Sequence, residues 1–140
     1  MDPGPMILLV EDNEDDELLM QRAFKVNRFA NEIVVARTGE QAVEWLSSAT
    51  ALPSLVLLDL NLPKMSGLDV LREIRRHDRT HLLPVVVLTS SKQDEDVIES
   101  YALGANAYVR KPVDFAAFTE AVKTLGLFWL VLNEQPRFPR

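Results

Sequence analysis

Short runs of apolar residues alternate with longer amphipathic stretches along the chain. Five runs are apolar almost without interruption, which is typical of strands buried on both faces of a parallel sheet. The predicted strands are Met6–Val10, Ile33–Ala36, Leu55–Leu58, Pro84–Leu88 and the weaker run Ala107–Val109. Because strands and helices alternate throughout, the pattern predicts an α/β fold, a parallel sheet with helices on both faces.

Between the strands, apolar side chains recur at the spacing of an amphipathic helix. The predicted helices are Asn13–Val26, Gly39–Ser48, Ser66–His77, Asp94–Leu103 and a last helix from Asp114 to about Leu132. Asp114 is a suitable N-cap, and Gly104 is a suitable C-terminal stop. The last helix is apolar nearly all round from Leu125 to Leu132. This excess predicts a contact with a second copy or with the helix's own domain.

Composition limits the functions that such a fold can carry. The chain has 140 residues, no cysteine and a net charge of −6. The length fits one domain, expected at residues 6–133 between tails at 1–5 and 134–140. The lack of cysteine excludes thiolate and zinc–cysteine chemistry, and the acidic balance argues against a nucleic-acid-binding surface. No signal peptide is evident, and the longest apolar run is too short to span a bilayer, so we expect a cytoplasmic protein without a membrane partner.

Acidic residues follow two of the predicted strands at their carboxyl ends, where sheets of this type bind ligands. Glu11 and Asp12 follow the first strand, and Asp59 follows the third. Three converging carboxylates repel each other, and a hard divalent cation such as Mg²⁺ relieves that repulsion. The backbone carbonyl of Asn61 is a further candidate ligand. Taken alone, Glu11, Asp12 and Asn13 are better explained as an N-cap of the first helix.

Three residues at the strand ends suit phosphoryl transfer. Asp59 is a competent nucleophile that needs only charge neutralisation and in-line positioning. Lys111 follows the fifth strand as a point charge for phosphate oxygens, and Thr89 ends the fourth strand with a hydroxyl donor. Each has a commoner explanation alone: a loop acid, a solvated lysine or a β-branched strand residue. Their joint position at successive strand ends is the specific signal, while the Lys111–Pro112 bond stays open between cis and trans.

Over about residues 6–125, the motifs resemble the receiver domains of two-component response regulators. The matching segments are Leu9–Asp12, Leu58–Pro63, Met65–Gly67, Leu88–Ser91, Gly104–Tyr108 and Lys111–Pro112. The resemblance implies a flavodoxin-like (βα)5 doubly wound sheet with strand order 2-1-3-4-5. It also implies a signalling protein rather than an ordinary enzyme, which accepts a phosphoryl group from a sensor histidine kinase onto Asp59 in a Mg²⁺-dependent reaction.

The resemblance assigns a role to each candidate site residue. The implied Mg²⁺ ligands are Glu11, Asp12, Asp59 and the carbonyl of Asn61. The implied phosphate-binding residues are Lys111 and Thr89, and the implied switch pair is Thr89 and Tyr108. The residues implied to tune dephosphorylation are Asn61 and Ser91. Glu11 stands where many receivers carry Asp, a substitution that keeps the carboxylate.

Three segments resemble more closely the small stand-alone regulators of bacterial and cyanobacterial phytochrome kinases. They are Asp12–Asp16, Asn31–Ala36 and Gly126–Asn133. Such regulators often dimerise through the fourth helix, fifth strand and fifth helix. The resemblance therefore implies a homodimer, a bacteriophytochrome-type kinase as partner and an output face on those elements. The residues expected on that face are Leu127, Phe128, Trp129 and Val131.

Two other functions stay open on the sequence alone. Asp59-Leu60-Asn61 resembles the Asp-x-Asp motif of haloacid-dehalogenase-type phosphatases, but Asn61 replaces the second acid and a substrate-capping insert is missing. A pseudo-receiver, an interaction module that is never phosphorylated, usually lacks the acceptor, an acid or the lysine, and this chain keeps all of them. Turnover of a generic phosphomonoester tests the first function, and labelling by acetyl phosphate tests the second.

Overall fold

The computed structural model describes residues 6–112 and 114–134. The tail predicted at residues 1–5 and all but the first residue of the tail predicted at 134–140 lie outside the described residues. Five parallel strands form one sheet in the order β2-β1-β3-β4-β5, which confirms the implied topology. The strands are β1 (Ile7–Val10), β2 (Ile33–Ala36), β3 (Leu55–Leu58), β4 (Val85–Thr89) and β5 (Ala107–Arg110). The strand order reverses between β1 and β3, and their carboxyl ends open a crevice at that point.

Burial differs between the centre and the edges of the sheet. Every residue of β1, β3 and β4 is buried, whereas β2 and β5 are only partly buried. An edge strand has one neighbour instead of two, so the expectation of strands buried on both faces holds only for the three central strands. Within β1, Leu8 and Val10 face one core cluster while Ile7 and Leu9 face the other. This alternation follows from the two-residue period of a strand.

The helices are α1 (Glu14–Val26), α2 (Gly39–Ser48), α3 (Gly67–Arg76), α4 (Asp94–Ala102) and α5 (Phe115–Gly126). α1 and α5 pack on each other beside one face of the sheet, and α2 and α3 pack on each other beside the opposite face. Side-chain N-caps start four of these helices; the capping residues are Asn13, Thr38, Ser66 and Asp114. Each cap satisfies a backbone N–H that the helix itself leaves free.

The last helix departs from the predicted single α-helix. α5 ends at Gly126, and Leu127–Leu132 continues it as a π-helical segment. Gly126 packs so closely against the ring of Phe29 that a β-carbon there would overlap it. Together the two parts form an 18-residue apolar helix that meets the length and composition of a membrane span. A core helix meets the same criteria, and Phe118 and Val122 of α5 lie in the core.

Arg75 joins the end of α3 to the loops before β4 and β5. Its guanidinium donates to the carbonyls of Gly104 at 2.8 Å, Leu83 at 2.7 Å and His81 at 2.9 Å. It also donates to Oδ1 of Asn106 at 2.9 Å. Gly104 has a φ of 98°, a left-handed conformation that glycine adopts without strain. The predicted helix stop at Gly104 is therefore also a contact point for Arg75.

Candidate functional site

Asp59 lies at the carboxyl end of β3 and is only 6% exposed. One carboxylate oxygen, Oδ1, accepts from the Thr89 hydroxyl at 2.8 Å and from the Asn61 N–H at 3.0 Å. The other oxygen, Oδ2, accepts from Nζ of Lys111 at 2.9 Å. Both oxygens are thus held by donors from three different strand ends. Gly67 packs against the loop that follows, since a β-carbon there would overlap the Asp59 carbonyl oxygen.

Lys111 places its ammonium among three carboxylates. Nζ lies 2.5 Å from Oε1 of Glu11, 3.0 Å from Oδ2 of Asp16 and 2.9 Å from Oδ2 of Asp59. The lysine side chain is only 11% exposed, and its backbone N–H donates to the Thr89 carbonyl at 2.8 Å. The described part of the chain contains no cis peptide bond, so the bond from Lys111 to the following proline is trans. The lysine reaches the pocket from this trans geometry.

Burial and charge shift the pKa values of this group in different directions. Burial raises the pKa of Glu11 to about 7, although its contact with Lys111 acts the other way. Burial also acts to raise the pKa of Asp59, but the Lys111 charge and the Asn61 N–H outweigh it and hold that pKa below its ordinary value. Burial acts to lower the pKa of Lys111, but hydrogen bonding to Glu11 and the charge of Asp59 raise it. The lysine therefore stays protonated, while Glu11 is only partly ionised near neutral pH.

The acids that meet in the pocket differ from the set predicted from the sequence. Glu11, Asp16 and Asp59 each bring a carboxylate oxygen within 4.8 Å of the others. Asp12 is exposed and lines the open cleft beside them. Asp16 lies in the first turn of α1 and not at a strand end, and it was not predicted from the sequence. Side chains of a first turn lean toward the helix N-terminus, which here follows the end of β1, so the acids of this turn are candidates as a group, but their pattern does not single out Asp16.

The cleft has the donors that a hard divalent cation requires. It is an open space of about 590 Å³ lined almost entirely by oxygen-bearing side chains. The lining residues are Glu11, Asp12, Asn13, Glu14, Asp15, Asp16, Asp59, Asn61 and Ser90. Carboxylate and carbonyl oxygens are the ligands that Mg²⁺ and Mn²⁺ prefer. The local excess of carboxylates over ammonium groups favours a cation at this position.

A chain of hydrogen bonds leads from Asp59 toward α4. Oγ1 of Thr89, which donates to Asp59, also accepts from the Ser91 N–H at 3.4 Å. The Ser91 hydroxyl donates to Oδ2 of Asp96 in α4 at 2.5 Å. The Tyr108 hydroxyl donates to the Ser91 carbonyl at 3.4 Å. The residues predicted as the switch pair are therefore joined through the backbone of Ser91.

The predicted output residues divide into exposed and half-buried side chains. Leu127, Phe128 and Val131 are exposed. Trp129 is half-buried, because its indole packs against Phe128 at a ring distance of 4.9 Å and against the core cluster beside α1 and α5. On α4, the side chain of Ile98 is also exposed. The π-helical segment after α5 thus exposes an apolar surface, whereas Trp129 packs mainly against the core.

Comparison with known proteins identifies the family. The sequence profile of the response regulator receiver domain matches residues 7–123. The chain is 39% identical over 135 residues to the probable methanogenesis regulatory protein FilR2 of Methanothrix harundinacea (strain 6Ac), covering 94% of this chain and 87% of that protein. It superposes on the phosphorylated cyanobacterial phytochrome response regulator RcpA with a TM-score of 0.90 and 36% identity, covering 96% of this chain and 99% of RcpA.

A third relative is the bacteriophytochrome response regulator AtBRR. The chain is 44% identical to it, with a TM-score of 0.75, and covers 95% of this chain and all of AtBRR. The profile match and these full-length similarities agree with the strand order and with the polar residues at the strand ends. The chain belongs to the response regulator receiver domain family and is similar to the phytochrome response regulators within it.

Proposed function

We propose that a sensor histidine kinase transfers a phosphoryl group from its phosphohistidine to Asp59. The P–N bond to the kinase breaks, a P–O bond to a carboxylate oxygen of Asp59 forms, and the imidazole leaves with its electron pair. The observation that carries the proposal is the Asp59 carboxylate, buried at a strand end and held by Thr89, Asn61 and Lys111. A held carboxylate loses little orientational freedom on the way to the transition state.

The surrounding residues divide the electrostatic task. The proposed Mg²⁺ ligands are Glu11, Asp12, Asp59 and the Asn61 carbonyl. When bound, Mg²⁺ supplies positive charge that offsets the carboxylates and the incoming phosphoryl oxygens. Lys111 and Thr89 already donate to Asp59 and lie within reach of a group attached to it. After transfer, both donate to phosphoryl oxygens instead.

The proposed switch runs from Thr89 to Tyr108. When the Thr89 hydroxyl turns to the phosphoryl group, it moves relative to the Ser91 N–H that it now accepts from. The Tyr108 ring, which contacts the Ser91 carbonyl, follows the change in this loop. The Asn61 N–H donates to Asp59 and the Ser91 N–H donates to Thr89. We propose that these two residues set the access of the water that hydrolyses the phosphoryl group.

Labelling by a small phosphodonor tests the phosphoacceptor role without a kinase. We expect acetyl phosphate with Mg²⁺ to label the protein, and Asp59→Asn to abolish the labelling, as followed by intact mass. Asp15→Asn is the matched control, because Asp15 is an exposed acid on the rim of the same cleft. Continued labelling of the Asp59→Asn variant, or an unlabelled wild type, would refute the proposal.

The proposed output surface consists of α4, β5 and the π-helical end of α5. Exposed apolar side chains on it include Ile98 and Val131, and a groove between α4 and β5 is lined by Val97, Tyr108 and others. Burial of this surface in a homodimer removes it from water. Light scattering, which measures the mass of the particle in solution, tests this arrangement on the wild type and on Val131→Glu. Leu18→Glu is the control, because Leu18 is an exposed apolar side chain of α1, outside the proposed surface. A dimer unaffected by Val131→Glu contradicts it.

The proposed partner is a phytochrome-type histidine kinase in the cytoplasm. The support is the similarity to RcpA and AtBRR, which are named for phytochrome and bacteriophytochrome systems. Direct phosphotransfer tests it: a phosphorylated phytochrome kinase is mixed with the protein and compared with a phosphorylated kinase of another sensor class. We expect faster transfer from the phytochrome kinase, and equal rates would argue against the assignment.

A further inference from the structure

All three N–H groups of the Lys111 ammonium are engaged. Their acceptors are Oε1 of Glu11, Oδ2 of Asp16 and Oδ2 of Asp59, at 2.5, 3.0 and 2.9 Å. An ammonium group has three donors and no more. A phosphoryl oxygen can therefore bind Lys111 only when one of these carboxylates releases it.

The three carboxylates differ in how easily water replaces the lysine. The side chains of Glu11 and Asp59 are 4% and 7% exposed, whereas that of Asp16 is 37% exposed. A buried carboxylate that loses its cation stays poorly solvated, while an exposed one regains hydrogen bonds from water. The Asp16 contact is therefore the least costly of the three to break.

We propose that Asp16 is a positioning residue that occupies the place of a phosphoryl oxygen on Lys111 before phosphorylation and then releases the ammonium. The inference rests on the proposed function, because it requires a phosphoryl group on Asp59. Asp16 acts on a phosphoryl group through Lys111, the ammonium that its Oδ2 accepts from.

This arrangement has two consequences of opposite sign. The Asp16 carboxylate competes with phosphoryl oxygens for Lys111, so it weakens the binding of a phosphoryl group. The same carboxylate adds negative charge beside Glu11 and Asp59, so it strengthens the binding of a divalent cation. A residue that only supported the fold would weaken both interactions when replaced.

The test measures both affinities by isothermal titration calorimetry on the full chain. The probes are Mg²⁺ alone and, at saturating Mg²⁺, trifluoroberyllate, an analogue of a phosphoryl group. Asp16→Asn removes the charge, Asp16→Glu keeps it, and Asp15→Asn removes a neighbouring exposed charge that has no part in the Lys111 contacts. Circular dichroism establishes that each variant is folded.

We expect Asp16→Asn to bind trifluoroberyllate roughly two- to five-fold more tightly, the range of a partly exposed ion pair, and Mg²⁺ more weakly by a similar factor. Asp16→Glu is expected to stay near the wild type, and Asp15→Asn to change either affinity by less than about two-fold, because solvent screens it.

Unchanged or weaker trifluoroberyllate binding by Asp16→Asn would overturn the inference. An equal gain in Asp15→Asn would also overturn it, since the effect would then be general charge rather than the Lys111 contact. Loss of folding in both Asp16→Asn and Asp16→Glu would show a structural role and have the same result. If the wild type itself fails to bind trifluoroberyllate with Mg²⁺, the proposed function fails instead, so the two failures are distinguishable.

Discussion

Replacing Lys111 by methionine tests how the charges of the pocket are balanced. Methionine keeps most of the apolar stem and removes the ammonium that Glu11, Asp16 and Asp59 share. Leaving a buried charge without its partner costs about 3–5 kcal/mol in typical proteins. The cost is limited here, because Glu11 already has a pKa of about 7 and takes up a proton when the lysine is lost. We expect Lys111→Met to lower the free energy of unfolding by about 2–3 kcal/mol near neutral pH in the absence of metal.

The sign of the pH dependence follows from the same acids. Without Lys111, the folded-state pKa of Glu11 lies above its value in the unfolded chain, which is near the ordinary 4.5. Between those two values the folded protein binds more protons than the unfolded chain, so stability falls as the pH rises. Glu11 of the wild type shares this loss up to its own pKa of about 7, so the deficit of the variant changes little in mild acid. Above that pH it grows by up to about 1.4 kcal/mol for each pH unit per proton involved. Mg²⁺ supplies the missing positive charge and is expected to restore most of the loss.

Urea unfolding followed by circular dichroism measures this deficit, with EDTA or with saturating Mg²⁺, from mildly acidic to mildly alkaline pH. A loss of 2–3 kcal/mol corresponds to a midpoint shift of about 1–2 M urea. Lys92→Met is the control, because Lys92 is exposed and the substitution removes the same charge. Equal stability of Lys111→Met and the wild type in EDTA, or a deficit that shrinks as the pH rises, would refute this account of the pocket.

Two further substitutions test how the scaffold supports the site. Arg75→Met removes charged hydrogen bonds to part-buried carbonyls and is expected to lower the free energy of unfolding in urea by about 2–4 kcal/mol. Arg72→Met is the control, with an expected loss of less than about 0.5 kcal/mol because its ion pair is exposed. Gly67→Ala forces a β-carbon onto the backbone of Asp59 and is expected to slow acetyl phosphate labelling by at least about ten-fold. Gly126→Ala places a β-carbon against the ring of Phe29 and is expected to lower the stability while leaving labelling intact. Normal labelling of Gly67→Ala together with slow labelling of Gly126→Ala would contradict the contact of Gly67 with the loop after Asp59.

The sheet was predictable because each central strand is recognisable from its own short segment of sequence. The central strands are uninterrupted apolar runs, and their bounds differ from the prediction by at most one residue at either end. Cap residues such as Asn13 and Ser66 were placed within the predicted helices and instead immediately precede them. Such errors of one residue are expected, since a cap is half inside its helix.

Other features depend on contacts between distant residues and leave little trace in the sequence. Asp16 is one acid among several near the start of α1, and only the position of Lys111, far along the chain, distinguishes it from its neighbours. The π-helical segment follows α5 where Gly126 packs against Phe29 in the loop after α1, a contact between residues far apart in the sequence. Arg75 likewise connects two loops through backbone carbonyls that lie further along the chain.

The way in which α4 begins supports the proposed transmission of a change from Asp59 to this helix. Among the five helices described, α4 is the one whose N-cap residue, Gln93, makes no side-chain capping hydrogen bond. A side-chain cap is worth about 1 kcal/mol, and α4 forgoes it. The contact between Ser91 and Asp96 holds this first turn instead, and the Ser91 N–H in turn donates to Thr89. The start of α4 is thus held through the loop whose Ser91 N–H donates to Thr89. In the proposed switch, shifting this helix therefore requires less energy than shifting a helix anchored by its own side-chain cap.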